Sequence, residues 1–405
     1  MPSNKSSAVG AFIAIMGLCS VVSAQPREAP TSDALLKCVA AEAAKSDFSG
    51  VVSIMRPGGT TVHAQGRMAG PGSTSIFDGA QFNLGSASKM FTAVAVAQLA
   101  DAKKIDLDDP IGRYVDGLTP EAAAVTIRQL LTHSGGLGDF FSPDNLPSLQ
   151  KARSLSDLKP LLAGETPAFA PGSRFQYSNS GFLLLGLMIE RVSGQPFASY
   201  LKRHVFKPAK MTNSGLVPGP RSKLAVGMTT MPELPPLPAG AMRGPDRAPS
   251  GPPPGPPPGA AGGPDALRLP PPGPLRPAVE AALIGNSAGG AYSNAADMQR
   301  FFAALLAGQL TSAAMRDALI APQIVAVPAK EGAPARSYGL GFGVGAYEGH
   351  RWTGHNGGTL GVNVDTKTFP DDATSVVVMT NRDPPMADAM MRKVQSLLFD
   401  GATCE

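Results

Sequence analysis

In Phe82-Asn83-Leu84-Gly85-Ser86-Ala87-Ser88-Lys89 a serine behind a glycine stands one helical turn before a lysine. Side chains at that spacing share a helix face, so the ammonium group reaches the hydroxyl. A serine hydroxyl attacks a carbonyl only when a base takes its proton, and a lysine serves as that base only where burial or a neighbouring charge lowers its pKa. The expected helix start adds a favourable dipole. Spacing alone does not choose, because Ser148 and Lys151, Ser156 and Lys159, and Ser199 and Lys202 repeat it. Context does. Only the Ser86 copy follows a glycine and opens a long alanine-rich apolar run that would bury both residues, which makes Ser86 the expected nucleophile and Lys89 its activator.

Two further clusters offer the groups an acyl transfer needs. Tyr177-Ser178-Asn179 sits between Pro171-Gly172 and the apolar run from Gly181, on a loop entering a helix. A tyrosine hydroxyl relays protons and an asparagine amide binds a substrate amide. The same tripeptide recurs as Tyr292-Ser293-Asn294, where Ser293 or Asn294 reads as the cap of the helix containing Asp297. Trp352-Thr353-Gly354-His355-Asn356-Gly357-Gly358 is a polar strand end whose glycines let a ligand approach the backbone, with His355 placed to orient or protonate it. A competing pattern, Gly285-Asn286-Ser287-Ala288-Gly289, matches the nucleophile elbow of a parallel-sheet hydrolase and would make Ser287 the nucleophile. The elbow needs a buried strand before it; the chain upstream is helical and then proline-rich, which argues against it. The five histidines and the cysteines show no ligand spacing for a metal, and no cofactor is expected.

The elements that must position these groups follow from periodicity. Helical spacing covers Ala34 to Lys45, residues 87 to 103, Ile127 to Leu131, Gly181 to Ser193, Phe197 to His204, Ala295 to Ala307 and Ala387 to Phe399. Strand-like runs lie at Ser49 to Met55 and Thr60 to Gly66, around Pro57-Gly58-Gly59, and at Tyr338 to Tyr347, His350 to Gly354, Leu360 to Phe369 and Ser375 to Met379. Strands at both ends and helices between predict an α+β fold. An antiparallel sheet assembled from both chain ends is flanked by helices and carries an inserted, mostly helical domain.

Composition narrows the class. The 405 residues are 43% hydrophobic and 16% charged, enough for a large core, and a net charge of +4 is too dilute for a nucleic-acid footprint. A small or peptide substrate is the expected partner. Residues 1–24 read as a secretory signal, with Lys5, an apolar stretch from Ala8 to Leu18 and a small-residue cleavage site at Val22-Ser23-Ala24, so a periplasmic or secreted protein starting at Gln25 is expected. No later stretch is long and apolar enough for a membrane span. In that oxidising setting Cys38 and Cys404, one near each end, are candidates for a disulfide, the alternative being two unrelated buried thiols. Residues 231–277 contain 18 prolines and 8 glycines in 47 positions and read as an exposed insertion, either a tolerated surface loop or a docking segment. Residues 25–400 form the expected hydrolase domain and 401–405 a tail.

Together the three clusters resemble the serine β-lactamase-like superfamily, which holds class C β-lactamases, D-alanyl-D-alanine carboxypeptidases, D-aminopeptidases and β-lactamase-like carboxylesterases. The resemblance extends over about residues 33 to 400 and includes Leu130-Leu131-Thr132-His133-Ser134-Gly135-Gly136-Leu137 and Gly289-Gly290-Ala291-Tyr292-Ser293-Asn294. It implies an acyl-enzyme on Ser86, with Lys89 and Tyr177 handling protons. Asn179, His355 and Gly357 would contact substrate, and the backbone N–H groups of Ser86 and Gly358 would form the oxyanion hole. His133 is implied to be a structural residue of its loop. The chain departs from class C enzymes at His355, where lysine is usual, which favours D-amino-acid peptides or small esters over β-lactams; the loop at Glu165 lacks the class A deacylating pattern. A non-catalytic peptidoglycan-binding relative is the other alternative.

Overall fold

The computed structural model describes residues 31–68, 73–231, 273–278, 283–331 and 334–401. The expected signal at 1–24 and most of the proline-rich insertion lie outside the described residues. The N-terminal segment gives helix α1 (Ser32–Lys45) and the hairpin β1 (Gly50–Arg56) and β2 (Gly59–Gln65). Gly58 and Gly59 supply the positive φ values that turn the hairpin. The helical region contributes α2 (Lys89–Asp101), α3 (Ile127–Leu131), α4 (Asn179–Ser193), α5 (Ala295–Leu306) and α6 (Ala313–Ile320). The C-terminal part returns as β3 (Ile324–Val327), β4 (Arg336–Tyr338), β5 (Gly343–Tyr347), β6 (His350–Thr359), β7 (Val362–Phe369) and β8 (Thr374–Thr380), and ends in α7 (Met386–Phe399).

These strands form one eight-stranded sheet in the order β2-β1-β8-β7-β6-β5-β4-β3, with antiparallel pairing throughout. The two chain ends meet one strand in from the β2 edge, where Val51 pairs with Met379 and Ile54 with Val376. Alternation then sorts the side chains by face. Val52, Ile54, Val376 and Val378 join Leu35, Val39, Met391 and Val394 under α1 and α7. Val51, Val364, Val377 and Met379 point the other way, into the larger core shared with the helical region. Because both faces are covered, β8 is buried at every position.

Helix α2 runs through that larger core and is buried nearly all round, from Lys89 to Ala97. Phe91 packs edge-on to Phe206 and Phe301, with ring centroids 5.1 and 5.0 Å away. Cys38, buried on α1, is a disulfide cysteine, and its expected partner Cys404 lies outside the described residues.

The structure departs from the expected elements in places with local causes. The run from Tyr338 to Tyr347 is two strands, because Gly339 to Phe342 forms a tight turn with Gly341 at φ +82°, docked by its N–H on the Leu131 carbonyl. Strand β6 runs past Gly354 to Thr359, since Gly357 and Gly358 pair with Val364 and Asn363. The predicted helix from residue 87 opens as a 3-10 turn, Gly85–Ser88. Strand β3 and helix α6 carry too little periodic signal to have been expected.

Candidate active site

Ser86 lies in the 3-10 turn before α2, and two glycines bring that turn against β6. Gly85 adopts φ +49°, and a Cβ there would stand 2.6 Å from the Gly358 nitrogen. A Cβ on Gly357 would meet the Leu84 carbonyl at 2.0 Å and the Ser86 nitrogen at 2.8 Å. Real side chains do not fit at such distances, so both positions need glycine if the third motif is to touch the serine. The loop after the proline-rich insertion closes the other side. Gly290 N–H donates to the Gly85 carbonyl, Leu84 N–H to the Ala291 carbonyl, and Ala291 N–H to Ser88 Oγ at 3.0 Å.

Lys89 is fully buried, and its Nζ stands 3.3 Å from Ser86 Oγ. The same nitrogen donates to Asn179 Oδ1 at 2.7 Å and to the Ala288 carbonyl at 2.5 Å. Burial lowers this ammonium to about 7, with Asp139 pulling the other way. A neutral amine has two N–H donors and one lone pair. Asn179 and Ala288 take the two donors, which leaves the lone pair to face Ser86.

Tyr177 comes from the second motif and brings its phenol close enough to the Ser86 side chain for the two to interact. The residue is 37% exposed to the cleft, yet its hydroxyl end is closely surrounded, and burial raises its pKa so that it stays a phenol. Lys89 Nζ lies 4.7 Å from its ring centroid. Ser178 caps α4 by accepting the Gly181 N–H at 3.0 Å, which fixes Asn179 as the first helical residue and turns its amide onto Lys89. Asn179 Nδ2 donates to Asp139 at 2.8 Å. Both ends of this amide are therefore held by protein groups, and a substrate contact at Asn179 has to replace one of them.

His133 is a buried member of this shell, stacked 4.2 Å from the Tyr177 ring, with Nδ1 accepting the Ser178 N–H at 3.1 Å. Burial holds it neutral, helped by Lys89 and His355. His355 on β6 is buried too. Its Nδ1 bonds to the Asn356 carbonyl and its Nε2 to the Tyr338 hydroxyl at 2.8 Å; burial, then Lys89, lowers it to about 4.

Sequence reasoning had brought Ser86, Lys89, Tyr177, Asn179, His355, Gly357 and Gly358 to one place, and the structure groups all seven. It missed Asp139, the Ala288 carbonyl and Tyr338, whose relevance comes only from long-range contacts. Glu165 braces the neighbouring loop by accepting from Gly138 N–H at 3.1 Å and from Ser180, and burial raises its pKa. Ser287 is fully buried, and its Oγ lies where a Cβ on Gly186 would be, 2.1 Å away. It lies in no strand-to-helix elbow. Among the described residues no cluster of three metal-ligating side chains occurs, and no helix is long and apolar enough to cross a membrane.

A serine and a buried lysine at the head of a core helix, joined by a tyrosine from a second motif beneath an antiparallel sheet, define the class of the active-site serine hydrolases built on the β-lactamase and transpeptidase fold. The comparisons agree. The chain belongs to the Beta-lactamase family, whose model matches residues 35–399. A penicillin binding protein from Bacillus halodurans superposes with a TM-score of 0.71 at 26% identity, covering 89% of this chain and 98% of that one. D-amino acid amidase from Ochrobactrum anthropi SV3 superposes with a TM-score of 0.69 at 20% identity over 91% of this chain and 97% of that one, a likeness of fold. Protein flp of Staphylococcus aureus is 30% identical over 139 residues, 33% of this chain and 28% of that protein, so the chain matches under a third of that relative's length.

Proposed function

We propose that the chain is an exported hydrolase that passes an acyl group through Ser86, taking D-amino-acid amides or peptides, or small esters. The observation that carries this reading is the placement of the buried Lys89 Nζ beside Ser86, Asn179 and Ala288. With Asn179 and Ala288 holding its two N–H groups, the neutral amine presents its lone pair to Ser86 Oγ, 3.3 Å away. Lys89 takes the hydroxyl proton as Oγ bonds to the substrate carbonyl carbon. Backbone N–H groups of Ser86 and Gly358, pressed together by Gly85 and Gly357, receive the carbonyl oxygen as its charge develops. The proton passes through the Tyr177 phenol to the leaving nitrogen or oxygen, leaving an ester on Ser86. Water then attacks the ester, Lys89 accepts its proton, and Oγ leaves with that proton restored.

The substrate preference draws on His355. A neutral imidazole stands where a β-lactamase of class C would present a cation, so a substrate carboxylate finds no ion pair there. A D-stereospecific amidohydrolase from Streptomyces and a D-amino acid amidase from Ochrobactrum anthropi SV3 share the fold and support the amide reading. The test is hydrolysis of a short p-nitrophenyl ester, of D- and L-phenylalanine amide and of a chromogenic β-lactam by the chain and by its S86A variant. D-amide or ester turnover that falls at least ~100-fold in S86A supports the reading. Equal activity in both proteins contradicts it, and β-lactam turnover exceeding the rest replaces its substrate assignment.

A further inference from the structure

Tyr338 ends β4 with its side chain only 6% exposed, and its single polar atom bonds to His355 Nε2 at 2.8 Å. The other ring nitrogen, Nδ1, bonds to the Asn356 carbonyl. A carbonyl oxygen only accepts, so Nδ1 carries the proton. A neutral imidazole has one N–H, so Nε2 is bare and the Tyr338 hydroxyl donates to it. Neither nitrogen is left for a substrate.

What this arrangement holds is backbone. The Asn356 carbonyl belongs to the same peptide plane as the Gly357 N–H. The next plane, Gly357 carbonyl with Gly358 N–H, is held by Asn363 Nδ2 at 3.0 Å, and Asn363 is itself fixed by the Ala387 N–H on its Oδ1 at 2.6 Å. These two planes are the ones pressed against the Ser86 turn. Tyr338 also lies 4.8 Å from the His133 ring, which in turn stacks on Tyr177.

We propose that Tyr338 is a positioning residue for the reaction: by donating to Nε2 it fixes His355 as the Nδ1–H tautomer, which clamps the Asn356 carbonyl and so aims the Gly357 and Gly358 peptides at the oxyanion position. It rests on the serine-hydrolase reading above for its kinetic consequence, and on geometry alone for the tautomer. Losing the hydroxyl frees Nε2, and the ring can then turn or exchange its proton. The groups facing His355 are Tyr338, Tyr177, His133 and Lys89.

The experiment uses the full chain labelled with nitrogen-15 histidine, together with Y338F, which keeps the ring and removes only the hydroxyl. Long-range imidazole spectra, assigned among the five histidines with H355Q, report the tautomer. Rapid-quench mass spectrometry with a p-nitrophenyl ester reports acylation of Ser86. The expected result is an Nδ1–H His355 in the parent chain, its loss in Y338F, and acylation slowed by ~10-fold or more with KM changed less than ~3-fold. An Nε2–H His355 in the parent overturns the proposal, whether or not the variant folds. So does a Y338F protein that acylates within ~2-fold of the parent, or one that slows while its tautomer is unchanged. A parent chain that never acylates counts against the serine reading, while its imidazole spectrum still decides the tautomer.

Discussion

The chain spells Tyr-Ser-Asn twice, and the two copies end up with different tasks because their helix caps fall one residue apart. At residues 177–179 the serine is the cap, so the asparagine enters the first turn of α4 and bonds Lys89, while the tyrosine stands over the cleft. At residues 292–294 the asparagine is the cap, with Oδ1 accepting the Asp297 N–H at 2.9 Å, and Tyr292 and Ser293 form a two-residue strand paired with Phe82 and Asn83. There the serine hydroxyl is buried and bonded to Ser214 at 2.8 Å. In the proposed mechanism identical residues thus become proton-handling machinery in one place and scaffold in the other. The scaffold copy still serves the site, since its ribbon joins the strand leading into Gly85 and Ser86.

This contrast sets the expected effects of substitution. Y177F removes the phenol hydroxyl beside Ser86 and is expected to lower kcat by ~100-fold or more in steady-state assays. N179A frees one N–H of Lys89 and lets the amine turn from the serine, so kcat should fall ~10- to 100-fold. Its counterpart N294A removes only a helix cap. It should cost about 1 kcal/mol in denaturant unfolding and leave turnover within ~2-fold. A large catalytic loss in N294A with little in N179A would invert the comparison.

The pH profile reads the same asymmetry through Lys89. Its folded-state pKa, about 7, lies below the ordinary 10.5, so the base is neutral above about 7 and protonated below it. The acid limb of kcat/KM should therefore bend near pH 7 and fall about tenfold per pH unit beneath it. Stability has the matching sign. Between about 7 and 10.5 the native chain has shed a proton that the unfolded chain keeps, so this residue's contribution rises with pH across that window. The smallest effect is expected at Ser287, the serine of the other glycine-flanked pattern. Its Oγ is buried without a hydrogen-bond partner among the described residues, so S287A should leave turnover unchanged and stability unchanged or higher by about 1 kcal/mol.

Much of this was legible in the residues themselves. The Ser86–Lys89 spacing, the glycine before it and the alanine-rich run after it pointed to one nucleophile among four similar pairs, because burial of α2 follows from its composition. The two-ended sheet followed from strand runs at both termini. What escaped depends on contacts far apart in sequence. That Asn179 holds Lys89 depends on which residue of the tripeptide caps α4, a one-residue choice that propensity leaves open. Tyr338 looked like the start of one long strand; a glycine turn ends the strand at that tyrosine and places its hydroxyl on His355. The Ala288 carbonyl belongs to the backbone and has no sequence signature. His133 and Asp139 gave no chemical signal of their own, although the first lay within a segment already noted for its resemblance.

The central claim is that Ser86 carries the acyl group. Incubating the chain with a slowly deacylating ester or a fluorophosphonate, followed by digestion and peptide mapping by mass spectrometry, tests it directly. The account predicts one adduct per chain, on Ser86, formed faster as pH rises through about 7 and absent in S86A and greatly slowed in K89A. An adduct on Ser287 or any other residue, or an S86A chain that labels as fast as the parent, would contradict it.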